Sequence, residues 1–141
     1  MRGYSVAGTV PRVTDRAHRH VTNERRPVEV LVFTVDPGDI DAFLAIDHEV
    51  WTLGEADTLE GPELPFLSKE VWLNDNRPGE ITIVFVWPDQ ATWDAVGAAD
   101  IQARLSAEFD RRFGRPYELV REIHLEEHGG IHRWSRFARP E

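Results

Sequence analysis

The sequence predicts an α+β domain in which two helices cover one face of a four-stranded antiparallel sheet. Three observations carry that expectation. Four short runs are rich in β-branched and aromatic residues, two stretches repeat their apolar residues at helical spacing, and Pro, Gly or Asp punctuates the boundaries between them. The 141 residues, 41% hydrophobic and 29% charged, suit one globular domain.

The first strand is expected at residues 28–35 (VEVLVFTV), apolar on both faces as in a strand covered twice. Asp36-Pro37-Gly38-Asp39 then supplies turn chemistry and a helix cap. Ile40, Phe43, Leu44, Asp47, His48 and Trp51 follow at helical spacing, so a helix is expected to about residue 56. Its inward stripe turns polar at Asp47 and His48. After a Gly-Pro loop at 61–65, residues 66–74 (FLSKEVWLN) and 80–87 (EITIVFVW) read as a hairpin joined by Asp75-Asn76-Arg77-Pro78-Gly79. Pro88 stops that strand and Asp89 can cap the next helix, which buries Trp93 and Val96. Beyond Gly97, the stripe Ile101, Leu105, Phe109, Phe113 extends it as a longer or two-part helix. Gly114-Arg115-Pro116 ends the helix, and residues 117–124 alternate as a fourth strand.

The order βαββαβ is the ferredoxin-like arrangement. It leaves one sheet face open, to which Val28, Val30, Val32 and Thr34 of the first strand and Ile81, Ile83, Phe85 and Trp87 of the third are assigned. So large an apolar face implies a second sheet against it, hence a homodimer closed as a dimeric α+β barrel.

Charge divides the chain into a basic N-terminal arm (1–27), a barrel domain (28–126) and a C-terminal tail (127–141). The net charge of −9 hides an arm of +4, with six arginines, and a body of −14. Opposite charge favours the arm, Arg12 to Arg26, lying on its own domain or on a partner; a solvated tail is the plain alternative. An acidic body excludes general affinity for nucleic acid or anionic membrane. The arm lacks the apolar stretch of a secretory signal, so the expected location is cytoplasmic. Trp134 and Phe137 can anchor the tail.

With no cysteine, thiol nucleophiles and zinc ribbons are excluded, and histidine and carboxylates must carry any chemistry. No Gly-rich phosphate loop, G-x-S-x-G or H-E-x-x-H occurs. His124, His128 and His132 have helical metal-ligand spacing, but Gly129-Gly130 and a strand at His124 break the helix that spacing needs. No metal or other cofactor is expected.

Asp47, His48 and Glu49 form the densest polar group on a helix, with His48 and Trp51 on one face. A histidine in a half-apolar pocket can move a proton to or from a carbon acid; the alternative is a surface histidine. Glu70 shares strand parity with Trp72, and Lys69 with Val71. One pair faces the helices and the other the dimer, and the inward charge needs a partner, most simply a structural ion pair. Trp51, Trp72, Trp87 and Trp93 either pack the core or line an aromatic pocket.

The stretch Asp47-x-Glu49-x-Trp51-Thr52, then Phe66-Leu67-x-Lys69-Glu70-Val71-Trp72-x-Asn74, then Ile83 to Trp87 and Trp93, resembles the dimeric α+β-barrel superfamily. That superfamily includes antibiotic-biosynthesis monooxygenases, chlorite-dismutase-like haem proteins and stress-response barrels. More narrowly the stretch is similar to a small bacterial family within it, over about residues 28–125. The resemblance implies a cofactor-independent enzyme of monooxygenase, isomerase or cyclase type in bacterial secondary metabolism. Its substrate would be hydrophobic, aromatic or polyketide-like. On that reading His48, Glu49 and Glu70 are the candidate catalytic residues, and Trp51, Trp72, Trp87 and Phe43 bind substrate. A non-catalytic ligand-binding or stress-response barrel is the alternative, with its pocket filled by tryptophans and His48 in solvent. A haem-binding barrel is the third reading.

Overall fold

The first strand is longer than its apolar signature. In the computed structural model, which describes residues 16–125 and 130–141, β1 runs Arg19–Val35. The arm up to Asp15, with Arg12, and His128 of the histidine series lie outside the described residues. The chain divides into two compact units. The larger is Arg26–Arg133; the smaller joins residues before Arg26 to Trp134–Glu141.

In the larger unit, Asp36 accepts from the Gly38 amide at 2.9 Å and opens a short 3₁₀ turn, Pro37–Asp39. That turn leads into α1, Ile40–Asp47. The helix then widens into a π-turn, His48–Thr52, before α2, Leu53–Ala56. The expected hairpin forms from β2, Ser68–Leu73, and β3, Glu80–Val86. Gly79 closes the turn with φ +88°, where a Cβ would stand 2.3 Å from the Val35 carbonyl oxygen, so only glycine fits. Asp89 caps α3, Gln90–Val96, accepting from the Thr92 amide at 2.7 Å. The second helix is in two parts: α4, Ala99–Phe113, follows and ends at Gly114 in the left-handed region. Its stripe buries Leu105, Phe109 and Phe113. β4 is Tyr117–Glu122, and a 3₁₀ turn takes Ile123–Leu125.

The sheet order β2-β3-β1-β4 is antiparallel throughout, so the fold is α+β and ferredoxin-like. Residues of the tail form a further strand, β5, His132–Ala138, which pairs with β1. Within the smaller unit the His18 and His20 rings lie 5.0 and 5.5 Å from the Phe137 ring.

Register corrects one expectation. Ile81, Ile83, Phe85 and Trp87 do not belong to the open face: they are 0–3% exposed and sit in the core with the helices. Pairing Leu31 with Ile83 and Glu29 with Phe85 puts the odd-numbered residues of β1 on that same inner side. Val28, Val30 and Val32 pair with Val86, Val84 and Thr82 on the outer side. Parity within each strand was readable, but which faces coincide depends on how the strands align.

Candidate functional site

The helices do not fill the inner face of the sheet. Between them lies a cavity of about 490 Å³, within the range of small-molecule sites. Its apolar wall is aromatic. Phe43 from α1 packs against Phe109 of α4 with ring centres 5.1 Å apart. Trp87 stacks between Phe85 at 5.6 Å and Trp93 at 6.0 Å. Trp51 stands in the π-turn on the same cavity.

The polar wall is acidic. Glu29 of β1, Asp47 of α1, Glu55 of α2 and Glu122 of β4 all reach the cavity. Lys69 of β2 approaches behind them, donating to Asp47 Oδ2 at 2.6 Å and Thr52 Oγ1 at 2.5 Å, its Nζ 5.2 Å from the Phe85 ring centre. Lys69 is thus the inward member of its strand, and its partner is the structural ion pair that parity demanded. Trp87 Nε1 donates to Glu29 Oε1 at 3.2 Å. Glu55 is 6% exposed, and among the described residues its Oε2 has no hydrogen-bond partner, nor has His124 Nδ1 at the same cavity.

Burial decides the protonation of these acids. It pushes the Glu55 carboxyl up to about 8, with the Glu29 and Asp47 charges adding to the rise and Lys69 and a Gln102 hydrogen bond opposing it. Burial likewise raises Glu29 to about 7, against the Trp87 hydrogen bond, with Glu122 adding and Lys69 opposing. Asp47 is also raised, since desolvation outweighs the attraction and hydrogen bond of Lys69. Three acids thus share one nearby ammonium, too little charge to keep them all ionised.

Of the residues singled out from sequence, Phe43, Trp51 and Trp87 come together in the cavity wall. The others lie elsewhere. His48 is exposed; Glu49, also exposed, pairs with Arg112. Trp72 is 56% exposed and its indole donates to Glu70 at 3.2 Å, both on the outer side of β2. The cavity is open rather than filled by tryptophans, and His48 is not among its walls. Sequence reasoning missed Glu29 and Glu55, and it weighed His124 only as a metal ligand, not as a wall of this cavity. Glu29 was readable in principle, as a charge sharing parity with Leu31, Phe33 and Val35 in a strand otherwise apolar on that side.

Glu55 was hidden by the π-turn. In an unbroken α-helix, residues eight apart diverge by about 80°, which would carry Glu55 away from the face of Asp47. A π-turn inserts one extra residue, so Asp47 and Glu55 stand as residues seven apart would, about 20° from alignment. The helix therefore presents both carboxyls to one cavity.

No family model matches the chain and no curated protein does. Among solved structures, it is similar to a protein assigned as an antibiotic biosynthesis monooxygenase from Bacteroides thetaiotaomicron. The two are 16% identical over 79% of this chain and 98% of that one, with a TM-score of 0.47. A second such protein, from Caulobacter crescentus, is 9% identical over 85% of this chain and 93% of that one, TM-score 0.46. SnoaB, a cofactor-independent oxygenase from Streptomyces nogalater, is 13% identical over 69% of this chain and 92% of that one, TM-score 0.45. At these identities and scores the likeness concerns the path of the chain alone.

Proposed function

We propose that this chain is a cofactor-independent enzyme of monooxygenase, isomerase or cyclase type, acting on a hydrophobic, ring-bearing small molecule held in the cavity. One observation carries the reading: Glu55, buried at a cavity with aromatic walls, keeps one oxygen, Oε2, without a hydrogen-bond partner among the described residues. A carboxyl raised to about 8 is a far stronger base, once ionised, than an ordinary glutamate, and near neutrality it can both take and return a proton.

The chemistry follows from that proton. Glu55 removes it from a carbon next to a substrate carbonyl, and the electron pair passes into the enolate. Return of the proton at another carbon isomerises the substrate, and attack of the enolate carbon on an internal carbonyl closes a ring. Reaction of a methylene carbanion with dioxygen as the oxidant converts the methylene to a carbonyl, with the second oxygen leaving as water. The aromatic wall holds the ring and excludes water, which keeps the local dielectric low.

Exchange of the acidic C–H of β-tetralone for deuterium, followed by NMR, tests this. Glu55→Gln should slow protein-catalysed exchange by about 10²–10⁴-fold, while His48→Ala, altering an exposed side chain outside the cavity, should leave it near the wild-type rate. Exchange unchanged in Glu55→Gln would overturn the assignment. The position of His48, Glu49 and Glu70 outside the cavity favours a second reading, a barrel that binds its ligand without turning it over. It predicts β-tetralone binding without exchange in any variant. In either case we propose that two copies pair through the outer sheet face around Val28, Val30 and Val32.

A further inference from the structure

The charge balance of the cavity goes beyond the reaction type to the kind of ligand. Four carboxyls line it, and among the described residues no lysine or arginine does. Lys69, the nearest ammonium, is committed to Asp47 and Thr52. Among the described residues, Oε2 of Glu55, which is 6% exposed, and Nδ1 of His124 have no hydrogen-bond partner. The rest of the lining is aromatic, with Trp51, Trp87, Trp93 and Phe43 among it. Carboxyls and aromatic rings around one open volume form a receptor for a positive charge on a flat apolar body. The acids supply the counter-charge, and the rings an apolar seat for the body.

Resting on the second reading above, a barrel that binds without turnover, we infer that the ligand of this cavity is a cationic aromatic amine, its ammonium held by Glu29 and Glu55 and its ring by the tryptophan wall. An anionic ligand would add repulsion to acids that already lack a counter-ion. A neutral one would leave the deficit in place. The ammonium supplies the missing charge and draws the acids into their ionised forms, so binding releases protons.

The groups facing Glu29 and Glu55 set the pH dependence. They are Asp47 from α1, Lys69 from β2, Glu122 from β4 and His124 just beyond it, with His48 acting on Asp47 from its edge. β3, α3 and α4 offer only uncharged groups to the cavity, such as Trp87, Trp93 and Gln102. With Glu29 raised to about 7 and Glu55 to about 8, proton release is largest near and below neutrality. Affinity for an amine therefore rises with pH there, approaching tenfold per unit for each proton released.

Calorimetric titration of the full-length protein with three matched indoles, in two buffers of different ionisation enthalpy, tests this. Tryptamine carries the cation, skatole is neutral and indoleacetate is the anion. Tryptamine should bind about tenfold or more tightly than skatole at about pH 8, with proton release, and indoleacetate weakest. In Glu29→Gln/Glu55→Gln the preference for tryptamine and the proton release should disappear while skatole still binds. That retained skatole binding separates a lost charge site from a misfolded protein. Skatole or indoleacetate binding as tightly as tryptamine overturns the inference and leaves the site standing. No binding of any of the three also overturns it, and β-tetralone exchange then reports separately whether the cavity holds a substrate.

Discussion

Replacing Glu55 by glutamine should stabilise the protein, and by an amount that depends on pH in a calculable way. Unfolded, the carboxyl titrates at the ordinary 4.5; folded, it titrates at about 8 because burial and the Glu29 charge disfavour its ionised form. Below 4.5 it is protonated in both states and has no linkage effect. Between the two values the unfolded state loses its proton while the folded state keeps it, so wild-type stability falls as pH rises. Above about 8 the loss is complete. Each unit of difference is worth about 1.4 kcal/mol, which makes the full loss on the order of 5 kcal/mol and the part between about pH 5 and pH 8 about 3 kcal/mol. Glutamine keeps the shape and cannot ionise, so it escapes that loss. Thermal unfolding followed by circular dichroism should show a small gain in Tm for Glu55→Gln at about pH 5. The gain should grow by roughly 10 °C at about pH 8. A Tm difference equal at the two pH values would refute both the burial of the charge and its proposed use. A residue whose removal stabilises the fold is held there against folding, as functional groups are.

Two further outcomes follow from the same cavity and sheet. Lys69→Met strands the Asp47 carboxyl, whose side chain like that of Lys69 is 7% exposed. Urea unfolding near neutrality should show a loss of about 3–5 kcal/mol, much of it recovered in Lys69→Met/Asp47→Asn; equal losses in both variants would mean that Asp47 is not the partner that matters. For the proposed dimer, Val30→Glu should halve the mass seen by sedimentation, because it places a charge in the middle of the outer sheet face. An unchanged mass would exclude that face as the contact.

Much of the architecture was legible because it rests on short-range rules. Alternating runs marked β2 and β3, Asp36 and Asp89 are the caps their positions announced, and Gly97 and Gly114 divided and ended the second helix. That one of Lys69 and Glu70 faces inward and needs a partner was legible, since neighbouring strand residues point to opposite faces; that it is Lys69, paired with Asp47, was not. The aromatic half of the cavity was partly legible: Phe43, Trp51 and Trp87 are its walls.

The order of the first four strands and of the helices, which residues of a strand share a face, the aromatic character of the core and the lack of thiol chemistry all follow from the sequence alone. Which faces coincide is set by pairing across strands: Leu31 opposite Ile83 turns the apolar side of β3 toward the helices. Which acids matter is likewise a matter of long-range packing. His48 and Glu49 adjoin Asp47 in sequence, yet they turn to the surface. Glu29 and Glu55 are 26 positions apart and meet at one cavity, because a strand register and one extra residue in a helical turn bring them there. Local periodicity records the direction of a side chain along its own element. Desolvation and the sharing of one ammonium depend on every element around it, and they assign the buried carboxyls their protons.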